Sequence, residues 1–125
     1  MKKLIFSLII IFVCSSCASI PIEKKKWTTQ DTILETSWIV IHAVDWGQTR
    51  TIAKNPKQYR EMNPILGEHP STQNVDLYMG ASLLLHPLTS YLLPKPYRTW
   101  FQSITIFGSG SCVINNLGVG IKMDW

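Results

Sequence analysis

Along most of this chain, polar residues form narrow stripes on an apolar background. A helix on the surface of a water-soluble protein shows the reverse, one apolar stripe on a polar background. Glu35, Trp38, His42, Asp45 and Thr49 recur at spacings of three and four, so they share one helix face. Ile33, Val40, Ile41, Ala43 and Val44 cover much of the remainder. Further on, Ser82, His86 and Thr89 form a second stripe amid Leu83, Leu84, Leu85, Leu88 and Leu92. Gln102, Thr105, Ser109, Cys112 and Asn116 form a third, with Gly108 and Gly110 permitting close backbone approach.

Capping and breaking residues bound the three segments. Thr28 or Thr29 is a suitable N-cap before an acidic first turn, and the first helix runs from about Asp31 to Ala53, closed by Lys54-Asn55-Pro56. A loop from Asn55 to Asn74 follows, punctuated by prolines and Gly67, with a short helical turn expected around Gln58 to Met62. The second helix spans about Val75 to Leu93 and stops at Pro94-Lys95-Pro96. Pro87 either kinks it or divides it in two. The third occupies about Tyr97 to Ile121, leaving Lys122 to Trp125 as a tail. Period-two alternation is weak throughout. The expectation is an all-α fold, with residues 28–125 a single domain of three main helices.

Two arrangements account for the inverted stripes. Either the helices lie in lipid with their polar stripes turned inward, or a compact or oligomeric bundle buries the apolar surface. The second and third segments approach the roughly 20 apolar residues needed to cross a bilayer. Small residues such as Gly108, Ser109 and Ser111 suit helix packing in membranes. Against embedding stand Glu35, His42 and Asp45, since each intramembrane charge costs on the order of 3 kcal/mol unless paired or neutral. The balance favours a membrane-associated bundle, with embedded helices as its stronger version.

The N-terminus points the same way. Lys2 and Lys3 precede an apolar run from Leu4 to Val13, followed by Cys14-Ser15-Ser16-Cys17. A positive head, a brief apolar stretch and small residues at a cut site make a secretory signal. Ser15-Ser16-Cys17 resembles the lipobox of bacterial lipoproteins, which implies cleavage after residue 16 and lipidation of Cys17. Residues 17–27 then form a tether whose Lys24, Lys25 and Lys26 could contribute about 1 kcal/mol each against anionic headgroups. Ala18 and Ser19 lack the Asp that marks inner-membrane retention in enteric lipoproteins, so the resemblance implies an outer membrane, facing the periplasm, in a Gram-negative host. The net charge of +4 includes Lys2 and Lys3, and no basic stripe interleaved with aromatics follows, which argues against nucleic-acid binding. With Cys14 removed and Cys17 lipidated, Cys112 stands alone, expected as a small buried hydrophobe without a disulfide partner.

Candidate chemistry concentrates around one constellation, Asp45-x-x-Gln48-Thr49 and then Glu61-x-Asn63-Pro64. It resembles small uncharacterised bacterial and phage membrane or lipoprotein families, which implies architecture without a known activity. Physically, Asn63 before Pro64 is kept out of the helical region and can cap nearby backbone groups. Glu61 is placed to reach backbone amides, Arg50 or Arg60, in a hydrogen-bonded cluster fastening the loop to the first helix, or around a ligand. His42, Asp45 and His86 are the residue types of a zinc site, but no His-Glu-x-x-His or paired-cysteine pattern accompanies them, so no metal or cofactor is assigned. His42 has Asp45 within reach as a partner. Gly108-Ser109-Gly110-Ser111 lacks the strand-to-helix context of a nucleophile elbow. The reading is a lipid-anchored envelope protein with a structural or interaction role, contacting the membrane and an envelope partner. Its alternative is a small metal-dependent or hydrolytic enzyme centred on His42, Asp45, Glu61 and His86.

Overall fold

The computed structural model describes residues 26–125; the signal segment 1–16, Cys17 and most of the tether lie outside the described residues. Among the described residues there are three α-helices: α1 (Thr29–Lys54), α2 (Thr72–Leu92) and α3 (Lys95–Gly118). Helix α1 packs against both others, while α2 and α3 meet sparsely. The outer pair therefore diverges over α1 and leaves a cleft between them.

Local signals explain the boundaries. Thr28 caps α1 in a reciprocal capping box, its hydroxyl accepting from the Asp31 amide while the Asp31 carboxylate accepts from the Thr28 amide. Helix α2 starts three residues before the expected Val75, because the Ser71 hydroxyl accepts from the Asn74 amide and supplies an N-cap. It then runs unbroken through Pro87, rather than dividing there. Helix α3 begins directly after Pro94, with Pro96 in its first turn, where a missing amide hydrogen costs nothing, and ends at Gly118 rather than Ile121. The helical turn expected at Gln58 to Met62 is absent. A single turn at residues 56–58 replaces it, closed by the Gln58 and Tyr59 amides donating to the Asn55 carbonyl.

The interior is mostly polar. Trp38, Ile52, Val75, Met79 and Ile121 are the buried apolar side chains, against buried Asp31, Glu35, His42, Gln48, Thr49, His86, Ser90, Arg98 and Gln102. Large apolar side chains lie outside instead: Leu77, Leu84, Leu88 and Tyr91 along one face of α2, and Tyr97, Trp100, Ile104 and Phe107 along one face of α3. Among the described residues no helix is long and apolar enough to cross a membrane, because the inward polar stripes dilute each segment.

Glycine packing differs from expectation. A Cβ at Gly108 or Gly110 would meet nothing within 4 Å, so neither serves close helix approach. The tight position is Gly47, where a Cβ would lie 3.1 Å from the side chains of Met123 and Trp125. The C-terminal tail lies along α1 here, its Asp124 amide donating to the Gly47 carbonyl at 3.1 Å and the Lys54 ammonium reaching Asp124 at 2.8 Å.

Candidate functional site

The polar interior divides into a closed end and an open end, joined by an aromatic column. At the closed end Asp31 and Arg98 are paired at 3.0 Å. Arg98 also donates from Nε to the Ser90 carbonyl at 2.7 Å and from Nη2 to the Leu93 carbonyl at 3.1 Å. It thereby satisfies carbonyls that the end of α2 leaves without helical partners. Trp27 covers the guanidinium with its ring, 5.0 Å away. Burial alone would raise the Asp31 carboxyl, but the Thr28 amide and hydroxyl and the Arg98 guanidinium together hold it below the usual range.

One turn further along α1, Glu35 is fully used as an acceptor. His86 Nδ1 lies 2.7 Å from Oε1, while the Ser90 hydroxyl and the Gln102 amide donate to Oε2 at 2.7 and 2.9 Å. His86 Nε2 lies 2.8 Å from the Thr105 hydroxyl. Carboxylate, imidazole and hydroxyl are thus connected in the order of a catalytic triad. Thr105 nevertheless sits mid-helix and hydrogen-bonds back to the Phe101 and Gln102 carbonyls. Its neighbouring amides are consumed by the helix, so no preorganised donors face an oxyanion there. The relay ties α1, α2 and α3 together.

Stacking contacts continue from His42 to Trp38 (4.5 Å), from Trp38 to His86 (3.6 Å) and from His86 to Phe101 (4.5 Å). His42 turns its Nε2 to the Met79 carbonyl at 3.0 Å, and not to Asp45 as its spacing suggested. A carbonyl only accepts, so Nε2 carries the proton. Burial, opposed by that bond and aided by the nearby His86, depresses the His42 pKa. Both nitrogens of His86 and one of His42 are committed within the protein, which leaves this pair poorly suited to a shared metal.

The open end is a cleft of about 1150 Å³ with α1 as its floor, α2 and α3 as its walls and the loop at residues 58–63 over one end. His42, Asp45, Ser82, His86, Ser109 and Asn116, one or more from each helical stripe, all line it. Glu61, Asn63 and Thr49 line it too. Gln48 is fully buried nearby and accepts from Asn116 at 3.2 Å, its own amide nitrogen unpartnered among the described residues.

Glu61 and Asn63 behave as loop residues. Glu61 Oε1 accepts from the Met62 and Asn63 amides at 3.1 and 2.8 Å, and Asn63 Oδ1 accepts from the Ile65 amide at 2.9 Å. Arg50 pairs with Asp76 and Arg60 with Glu68, so neither neutralises Glu61. The expected fastening of the loop through Asp45 does not form, because the Asp45 carboxylate has no hydrogen-bond or ion-pair partner among the described residues. Burial first, and the charge of Glu61 second, raise its pKa to about 6. Cys112, expected to be buried, is exposed on the cleft wall, its thiol pKa raised by partial desolvation and by the nearby Asp45 and Glu61.

Sequence reasoning missed Asp31, Ser90 and Arg98. Arg98 carried a readable signal, a basic residue in the first turn after a Pro-bounded helix end. Together these features define, among the described residues, an all-α bundle of three helices with a polar interior and an open cleft. No family model, curated protein or solved structure matches the chain.

Proposed function

We propose that this chain is a lipid-anchored protein of the cell envelope, whose helical domain rests its apolar outer faces against the membrane and plays a structural or interaction role. The inversion of polarity carries the reading: among the described residues nine polar or charged side chains are buried, while twenty large apolar ones are exposed. An apolar exterior of this extent is uncommon on a soluble monomer and marks contact with lipid or another protein.

The placement of aromatic residues favours lipid. Tyr91, Tyr97 and Trp100 are exposed where α2 gives way to α3, and Trp27 lies 6.4 Å from Tyr91 at the same end of the bundle. Amphipathic rings gather at membrane–water interfaces. This end also lies next in sequence to the tether, its Lys24, Lys25 and Lys26, and Cys17. An envelope protein is the second occupant that such a face would accept. The enzyme alternative draws on the one cleft that His42, Asp45, Glu61 and His86 share, but both nitrogens of His86 and one of His42 are engaged within the protein.

Fractionation and intact mass of the native protein test the proposal. The expected product begins at an acylated Cys17, pellets with membranes through high salt and dissolves in detergent. In a Gram-negative host it follows the outer-membrane fraction. Lipids brominated in their acyl chains should quench tryptophan fluorescence through Trp100. A native N-terminus at Met1 or at another residue would sink the lipoprotein reading, and unquenched fluorescence would sink the membrane-facing orientation.

A further inference from the structure

Three acceptor groups at the loop end of the cleft lack the partners that such groups ordinarily have. Asp45 has none among the described residues. Glu61 uses Oε1 on two backbone amides and leaves Oε2 without a partner among the described residues. Thr49 is the independent sign that something belongs here. It is only 3 % exposed, lines the cleft, and its hydroxyl makes no hydrogen bond among the described residues. Other hydroxyls of these helices, on Thr51, Ser82, Thr89 and Ser111, donate to the carbonyl four residues earlier. The Thr49 hydroxyl takes no such partner among the described residues and is not sealed from the cleft, so it stays free for a guest that bonds it.

The charge of that guest follows from its surroundings. Two carboxylates face one space, and the basic side chains Arg50, Lys54 and Arg60 are engaged with Asp76, Asp124 and Glu68 instead. A cation relieves the repulsion between them. A metal ion fits poorly, since no group of three or more His, Cys, Asp or Glu among the described residues is arranged to hold one. An ammonium group presents three N–H donors and no acceptor, matching three unpartnered acceptors.

The shape of the guest follows from the rest of the cleft. At about 1150 Å³ the space lies just above the usual range of small-molecule sites and far exceeds a bare ammonium ion. Away from the carboxylates, Met79, Leu85, Phe101 and Ile104 furnish apolar wall. We propose that the cleft binds an amphiphilic primary ammonium, its head held by Asp45, Thr49 and Glu61 and its hydrocarbon part lying along the wall between α2 and α3. The same chemistry occurs in a soluble alkylamine and in a lipid headgroup bearing ethanolamine. The site does not depend on the envelope reading, because protein in neutral detergent suffices to test it.

Calorimetric titration of the full chain in neutral detergent with hexylammonium, hexanol and hexanoate is the deciding experiment. Hexylammonium should bind at least tenfold more tightly than hexanol, and hexanoate should not compete. Bound hexylammonium should also slow alkylation of Cys112, which lines the same cleft. Asp45→Asn should weaken hexylammonium at least tenfold and leave hexanol unchanged. Equal affinity for hexylammonium and hexanol in the wild type, or binding of neither, overturns the proposal without any variant. Repeating the titration in phosphatidylcholine and phosphatidylethanolamine vesicles identifies the source. Tenfold weaker binding in the ethanolamine vesicles assigns the lipid headgroup, equal binding assigns a soluble amine, and both uphold the site.

Discussion

Arg98 on α3 donates to the Asp31 carboxylate on α1 at 3.0 Å, with both side chains no more than 1 % exposed. Asp31 is at once the capping-box acid of α1 and the counter-ion of the residue that closes the end of α2. One carboxylate therefore registers all three helices. Removing one member of a buried pair strands the other charge, at about 3–5 kcal/mol. Arg98→Leu should lower the denaturant midpoint accordingly, with Asp31→Asn less severe because it retains a capping oxygen. A wild-type-like midpoint for Arg98→Leu would show that the pair does not hold the bundle together.

Acid should expose the opposite signs of Asp31 and Asp45. Asp31 is held below its ordinary 3.8, so the stability it contributes is present above that value and lost as pH falls further. Asp45 is raised from 3.8 to about 6, so its contribution is complete below about 3.8 and lost as pH rises to about 6. Asp45→Asn should then match the wild type near pH 4 and exceed it above pH 6, by on the order of 2 kcal/mol. Denaturant melts across that range read the difference directly. A variant less stable at pH 7 would mean that Asp45 has a partner in the fold.

Gly47→Ala tests the seating of the tail. Alanine in place of glycine favours a helix interior by about 1 kcal/mol. The added methyl would nevertheless press on Met123 and Trp125 at 3.1 Å. The tail, joined to α1 mainly by the Asp124 amide, Thr51 and Lys54, should yield first. Little change in melting, with faster carboxypeptidase removal of Trp125 and Met123, is the expected result. Unchanged digestion would show that the tail accommodates the methyl in place.

Asn63→Ala should loosen the loop over the cleft. It removes the acceptor of the Ile65 amide, a loss of about 1 kcal/mol for a neutral hydrogen bond. Hydrogen exchange at Ile65 and neighbouring amides should accelerate more than exchange within α1. Uniform acceleration across the chain would place Asn63 in the global fold instead.

Period and punctuation by themselves determined the helices of this protein. The three- and four-residue recurrence of Glu35, Trp38, His42, Asp45 and Thr49 sets one face of α1, and Pro94-Lys95-Pro96 separates α2 from α3, because such signals act within a few residues of the chain. The same recurrence indicated that polar residues turn inward, and side chains from all three stripes line one cleft. Partner choice was decided only in three dimensions. His42 passes over Asp45, three residues away, for the Met79 carbonyl on another helix, and His86 reaches back to Glu35. Spacing fixes which face a side chain occupies, but not which neighbouring helix meets that face or at what height. That height makes Gly47 the crowded glycine and leaves Gly108 and Gly110 open. It also leaves Asp45 and Thr49 facing unfilled acceptor geometry, because α2 and α3 diverge above them.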